Sequence, residues 1–140
     1  MKRRLFLAAL LWPATARAHS YKAGDIAIGH AWALPSNIPD GQVFMPLANL
    51  GKSDDALVGA RSDICSFIEL RRNARYDDPP ETQFSLPPGK PFPMRPQAAH
   101  LRLVGLARPL ALDERFTMVL DFLNNGEAEI EIHVEHAPGD

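Results

Sequence analysis

The sequence predicts an all-β fold, an antiparallel β-sandwich. The clearest signal is a C-terminal hairpin, in which Arg115–Leu123 leads through Asn124-Asn125-Gly126 into the strictly alternating run Glu127–Glu135. Alternation of this kind sends successive side chains to opposite faces of a strand. About seven such short runs lie between turn-forming residues, as in antiparallel sandwiches, and no convincing long helical pattern interrupts them.

The first half of the chain reads as three strands. Asp25–Trp32 alternates and places one set of side chains on a single face, namely Ile26, Ile28, His30 and Trp32. Pro35–Gly41 follows as a surface turn. Gln42–Leu50 is the second strand, in which Pro46 predicts an edge or a bulge. After a cluster of turn residues, Ala56–Ala60 is the third.

The middle of the chain is predicted as a strand, a loop and a turn. Cys65–Arg71 is the strand, with Ile68 and Leu70 facing inward and the other two alternate side chains, Glu69 and Arg71, facing outward. Cys65 lies at its start and is read as buried and unreactive. The polar, proline-bearing Arg72–Glu81 has no period and is predicted as loop, and Leu86–Gly89 forms a turn before Phe92–Met94.

Ala98–Leu110 contains the strand that carries the candidate chemistry. Leu101 and Leu103 point to one face, while the opposite face receives His100, Arg102 and Val104. A loop with Asp113 and Glu114 precedes the hairpin, whose Asn-Gly pair suits a type I′ turn. In its second strand the core face is formed by Ala128, Ile130, Ile132 and Val134.

The N-terminus has the pattern of a secretory signal. Met1–Ala18 combines three basic residues, the apolar run Leu5–Trp12 and a terminal Ala-Arg-Ala, which is a signal cleavage pattern. The segment is too short to be a membrane span. Cleavage leaves residues 19–140 as one exported, soluble domain with no stable membrane insertion. Its 11 basic and 17 acidic residues give a net charge of −6, which disfavours nucleic acid as a partner.

Four segments resemble the PCu(A)C periplasmic copper chaperones: Asp54–Gly59 (DDALVG), Ile68–Leu70 (IEL), Leu86–Lys90 (LPPGK) and Ala98–Leu110 (AAHLRLVGLARPL). The resemblance spans about Ala23 to Val134. It implies a cupredoxin-like β-sandwich and a periplasmic role in Cu(I) delivery during cytochrome oxidase assembly. The partners that it implies are oxidase-assembly proteins or a copper-binding thioredoxin-like protein.

The resemblance also implies a ligand set of two histidines and two methionines, of which this chain keeps one. The family's first histidine falls on Arg71, and its H-x-M pair reads His100-Leu101-Arg102, so only His100 matches. The methionine between them has no counterpart. Arginine has no lone pair to donate, and each guanidinium at 4 Å would repel Cu⁺ by about 4 kcal/mol in a partly screened site. The four-ligand Cu(I) site is therefore not expected to form.

Three interpretations of His100, Arg71 and Arg102 remain open. The arginines could form ion pairs with neighbouring acids such as Glu69. They could bind an anionic group or a protein partner through bidentate hydrogen bonds, which would make this chain a non-enzymatic binding module that has lost its metal site. Alternatively, His100 could still bind a metal.

A second candidate metal site begins at the mature N-terminus. Cleavage after Ala18 makes His19 the first residue, so that its amine and imidazole could chelate one copper ion, naturally as Cu(II). Such a site needs another imidazole, and the candidates are His30, His100, His133 and His136. The alternative is a chance histidine at a disordered terminus.

The chain contains none of the familiar hydrolytic or phosphate-binding motifs, such as G-x-S-x-G, H-E-x-x-H or a glycine-rich phosphate loop. The single cysteine has no evident histidine partner. We therefore expect a binding protein rather than an enzyme, with copper handling as the first hypothesis and the arginine-bearing binding module as the second.

Overall fold

A computed structural model describes residues 20–138, so the predicted signal Met1–Ala18 and His19 lie outside the described residues. Within this range the chain forms twelve strands: β1 Tyr21–Ala23, β2 Ile26–Ile28, β3 Trp32–Ala33, β4 Asp40–Phe44, β5 Leu47–Asn49, β6 Asp55–Arg61, β7 Phe67–Arg71, β8 Phe84–Leu86, β9 Pro91–Phe92, β10 His100–Val104, β11 Arg115–Phe122 and β12 Gly126–Val134.

The strands form two sheets, which confirms the predicted all-β sandwich. The smaller sheet has the order β1-β2-β5-β9, and the larger has the order β7-β10-β4-β3-β12-β11-β6-β8. All pairs are antiparallel except β3 with β12, which run parallel. No helix in the described range is long and apolar enough to cross a membrane.

Two predicted strands are each broken in the middle, because the chain passes from one sheet to the other. Gly29 separates β2 from β3, and Pro46 lies between β4 and β5. The two crossings are adjacent, since the Gly29 N–H donates to the Pro46 carbonyl at 2.9 Å. A side chain at Gly29 would collide with the Pro46 ring, with a Cβ only 2.5 Å from its nearest carbon. The single face predicted for Ile26 through Trp32 is therefore wrong: Ala31 and Ala33 are buried, whereas Trp32 is only half-buried.

The C-terminal hairpin matches the prediction in its faces but not in its turn. The four predicted core residues of β12 are buried, Ala128, Ile130, Ile132 and Val134. Phe122 pairs with Gly126, so the loop has three residues, and Gly126 has a φ of 82°. A type I′ turn would require positive φ at Asn125 as well. The loop is instead the longer form in which a glycine in the left-handed region closes the hairpin.

The middle of the chain departs from the prediction in small elements. The predicted loop Arg72–Glu81 contains no strand, and Ala56–Ala60 lies within β6 as expected. The short strands β1, β8 and β9 were not predicted, because two or three residues carry too little alternation. Cys65 is half-buried rather than buried, and this burial raises the pKa of its thiol.

Asp55 fastens the tip of the hairpin to β6. Its carboxylate accepts hydrogen bonds from the backbone N–H groups of Ala56 (2.8 Å), Asn124 (2.8 Å) and Asn125 (3.2 Å), and from the Asn125 side-chain amide (2.6 Å). Burial alone would raise the pKa of Asp55, but these hydrogen bonds outweigh it and hold the pKa below its ordinary value. The ionised carboxylate therefore stabilises the fold.

We expect Asp55→Ala to lower the free energy of unfolding by about 2–4 kcal/mol, because it leaves several donors without an acceptor. The matched control is Asp54→Ala, which removes an exposed neighbouring carboxylate and should cost less than about 0.5 kcal/mol. Urea unfolding at neutral pH measures both. Equal effects of the two substitutions would contradict the structural role of Asp55.

Candidate functional site

His100 begins β10 and is completely buried. Its Nδ1 lies 2.7 Å from the Ala98 carbonyl, which can only accept, so Nδ1 carries the proton. Nε2 then accepts a hydrogen bond from the Tyr76 hydroxyl, 2.7 Å away. Burial lowers the pKa of His100, and the nearby charges of Arg71 and Arg102 lower it further, against the opposing bond to Ala98. The imidazole is therefore held neutral, with both ring nitrogens in use.

Arg71 and Arg102 share one carboxylate. Arg71 donates from Nε and Nη2 to Oε1 of Glu69, at 3.0 and 2.8 Å, and Arg102 donates to the same oxygen at 3.1 Å. Asp40 supplies a second carboxylate to Arg102. Burial alone would raise the pKa of Glu69, but the hydrogen bonds and charges of the two arginines hold it below its ordinary value.

The solvent exposure predicted for one face of β7 and β10 is wrong at two positions. Arg71 is only 4% exposed, and His100 is 0% exposed. The strands place both side chains on the predicted face, with His100 directly opposite Arg71, but that face is covered rather than open to solvent. The arginines are engaged in ion pairs, which is the first of the three interpretations that the sequence left open.

Tyr76 covers this network and was missed in the sequence. It lies in the loop between β7 and β8, where its ring packs over the Arg102 guanidinium at 4.1 Å and near that of Arg71 at 5.2 Å. Its hydroxyl donates to His100 and accepts from the Gln42 side-chain amide at 3.1 Å. The only available signal was a single aromatic residue in an otherwise polar loop.

The residues that meet here are poor donors for Cu(I). Neither guanidinium has a lone pair to donate, and the one acceptor nitrogen of His100 is taken by the Tyr76 hydroxyl. Met94, the methionine preceding β10, is 8% exposed and belongs to the hydrophobic core. The donor set of His100, Arg71 and Arg102 therefore does not fit a soft monovalent ion.

A second group of polar residues lies where β3 meets β12. The His30 and His133 rings have centroids 5.7 Å apart, and Nε2 of His30 lies 2.8 Å from a carboxylate oxygen of Glu135. Glu131 is close as well, 3.2 Å from Nε2 of His133. The parallel pairing of His133 with Trp32 brings these residues together although about a hundred residues separate them in the chain. The geometry thus joins two of the imidazoles that the sequence offered as partners for His19.

Within residues 20–138, no three His, Cys, Asp or Glu side chains converge so that they could hold a metal ion. His30 and His133 therefore need at least one more donor to form a metal centre. His136 is exposed beyond the end of β12. His100 lies elsewhere in the core, on the other side of Phe44 from Trp32.

Glu69 is predicted to be the most sensitive residue of the buried network. Glu69→Ala should lower the free energy of unfolding by about 3–5 kcal/mol, since it leaves two largely buried guanidiniums short of a counter-charge. Glu81→Ala, which removes the partner of the exposed Arg72, is the matched control and should have a much smaller effect, because solvent screens an exposed ion pair. Chemical denaturation distinguishes them, and a Glu69 effect as small as the control would contradict the shared-carboxylate role.

His100 should make stability fall as the pH falls through the ordinary histidine range. Its folded pKa is depressed below about 6.5, so the unfolded chain binds the extra proton first and gains stability in acid. Unfolding free energies at about pH 8 and about pH 5.5 measure the change. His100→Gln should show a smaller loss over this interval than the parent, and an equal loss in both proteins would contradict the assignment.

Comparison with known proteins agrees with the fold. Residues 26–134 match the family model LpqE-like, described as "Putative lipoprotein LpqE-like". The chain is 23% identical over 132 residues to "Putative lipoprotein Lxx21020" of Leifsonia xyli subsp. xyli. This alignment covers 91% of this chain and 80% of that protein.

Solved structures of copper-binding domains have the same architecture. The copper-bound PCuAC domain from PmoF2 superposes with a TM-score of 0.76 at 27% identity, covering 84% of this chain and 98% of that domain. The solution structure of Cu(I)-bound DR1885 from Deinococcus radiodurans has a TM-score of 0.61 at 18% identity, covering 87% of this chain and 84% of that protein. At this identity the similarity supports only the shared fold. The family match extends over most of the chain, from β2 to the end of β12, and the protein accordingly belongs to the LpqE-like family.

Proposed function

We propose that this chain is an exported copper-handling protein that binds copper and passes it to a partner protein without catalysing a reaction. Its family and its similarity to the copper-bound PmoF2 domain support this role. The observation that carries the proposal is the pair of imidazoles, His30 and His133, whose ring centroids lie 5.7 Å apart where β3 meets β12.

The proposed copper site combines this pair with the mature N-terminus. Tyr21 pairs with Ile28 in the β1–β2 ladder, and Ile28 lies two residues before His30 in the chain. The Tyr21 hydroxyl also accepts a hydrogen bond from the Glu131 backbone N–H on β12, at 3.1 Å. Two extended residues span about 7 Å. His19 is thus proposed to supply its amine and imidazole beside His30 and His133.

The donor chemistry favours Cu(II) over Cu(I). An amine with several imidazoles is a nitrogen-rich set that suits the tetragonal geometry of Cu(II), whereas no thioether or thiolate is part of the proposed set. Glu135 contributes by accepting a hydrogen bond from His30, since carboxylates that bind the far nitrogen of an imidazole orient it towards a metal.

The ion-pair network around His100 is proposed to have replaced the family's Cu(I) site. Tyr76 and Glu69 together satisfy the three residues that occupy the family's ligand positions. Binding of an anionic group through Arg71 and Arg102 would have to displace those internal carboxylates. The partners expected for copper delivery are those implied by the resemblance, oxidase-assembly proteins or a copper-binding thioredoxin-like protein.

Copper titration of the mature protein starting at His19 tests the proposal, with a competing chelator under oxidising and then reducing conditions. We expect one tightly bound Cu(II) per chain and little competitive Cu(I) binding. His30→Ala and His133→Ala should each weaken Cu(II) binding at least about tenfold, which is about 1.4 kcal/mol. An extra residue before His19 should weaken it similarly, because it removes the amine from the chelate.

His136→Ala is the matched control, because it removes an exposed histidine three positions from His133 and should leave the affinity unchanged. His100→Gln should also leave it unchanged. Tight Cu(I) binding that depends on His100 would mean that the buried network opens to receive the ion, which contradicts the proposed site. No competitive binding of either oxidation state would contradict copper handling itself.

A further inference from the structure

The face of the sandwich between β8 and β9 carries a groove of about 620 Å³ that copper handling does not use. Its floor is formed by the Phe84 and Phe92 rings, with centroids 4.7 Å apart. Pro93, Ala98 and Ala99 extend this apolar surface. The exposed Arg72 and Arg95 are the cations at its rim.

Open strand edges border the groove. β8 is the last strand of the larger sheet and β9 the last strand of the smaller one. The Ala56 carbonyl accepts from the Leu123 N–H, on the side of β6 that faces away from β8. The pair of Ala56 with Ser85 is therefore a non-hydrogen-bonded pair, and the Ser85 N–H and carbonyl point outward at the free edge. Such an edge can pair with an added strand.

From these features we propose that the groove binds an extended segment of another protein, in which apolar and acidic side chains alternate. The segment would add to the β8 edge through the Ser85 backbone groups. Alternate side chains would then point to opposite sides, with the apolar ones on Phe84 and Phe92. The acidic ones would lie beside Arg95 and Arg72.

Charge selects an acidic partner. Arg95 and Arg72 lie at this groove although the mature chain carries six more acidic than basic residues, and the one acid that lines the groove, Glu81, is bonded to Arg72 at 2.7 Å. The acidic, alternating strand of the chain itself, β12, is already paired on both edges, by β11 and β3. The β12 strand of a second copy is therefore not free to enter the groove, and the occupant is assigned to a different protein.

A backbone-amide NMR titration tests this proposal on the mature, metal-free protein. The probe is a capped heptapeptide of alternating valine and glutamate, and its control is the same peptide with lysine in place of glutamate. We expect the glutamate peptide to shift the resonances of β8, β9 and residues 95–99. The lysine peptide should bind at least about tenfold more weakly. Equal binding of the two peptides, or shifts confined to other strands, would overturn the proposal.

Two pairs of variants locate the binding. Ser85→Pro removes the outward N–H at an edge position that tolerates proline, whereas Ser85→Ala keeps it, so only the first should weaken binding about tenfold or more. Arg95→Glu should weaken it at least threefold, whereas Arg61→Glu, which reverses an exposed charge outside the groove, should not. The amide spectrum of each variant checks its fold. If Ser85→Pro does not fold, the comparison of Arg95→Glu with Arg61→Glu alone tests the proposal.

Two further outcomes would also overturn the proposal. If the Arg95 and Arg61 variants bind the peptide alike, charge does not select the partner. If the peptide-free protein shows concentration-dependent broadening confined to β8 and β9, a second copy occupies the groove instead. None of these measurements depends on copper, so their result is independent of the copper titration.

Discussion

Two arginine side chains, one fully and one largely buried, constrain this structure, and Glu69 makes their burial possible. A guanidinium taken from water costs several kcal/mol unless a counter-charge and hydrogen bonds replace its hydration. One oxygen of Glu69 accepts from both Arg71 and Arg102, and Asp40 completes the charge balance. Burial, together with the charges of the same two cations, keeps His100 neutral by lowering its pKa, so that its imidazole can accept a hydrogen bond from Tyr76. Removing any charged member leaves another one unbalanced, which makes the network a structural unit.

Trp32 and Phe44 join this network to the histidine pair where β3 meets β12. Trp32 pairs with His133 on β12 and with Phe44 on β4, and its ring lies 4.5 Å from that of Phe44. Phe44 in turn lies 6.1 Å from His100. The two histidine groups therefore flank one packed aromatic wall. The His30–His133 pair is nevertheless held by its own contacts with Glu135 and Glu131, so it does not depend on the buried network for its position.

Local alternation was sufficient to predict the all-β class and the faces of the C-terminal hairpin, whose two strands follow each other in sequence. It failed at Gly29, because the crossing between sheets there moves burial from Ile26 and Ile28 to Ala31 and Ala33. It also failed for Tyr76 and for the pairing of His30 with His133. Those contacts depend on where a loop and a parallel strand pair lie in three dimensions, and spacing along the chain does not report either.

The difference in exposure between the two histidine groups bears on which one can serve as a copper carrier. A delivery protein must hold its ion where ligands of a partner can attack it, because transfer through a shared intermediate avoids releasing free copper. The side chains of His30 and His133 are 39% and 15% exposed, whereas His100 is completely buried beneath Tyr76. Copper at His100 would require the covering loop to open and the ion to approach two fixed cations. Copper at His30 and His133 would face the carboxylates of Glu135 and Glu131 instead, so charge and the accessible His30 favour this pair for the proposed role.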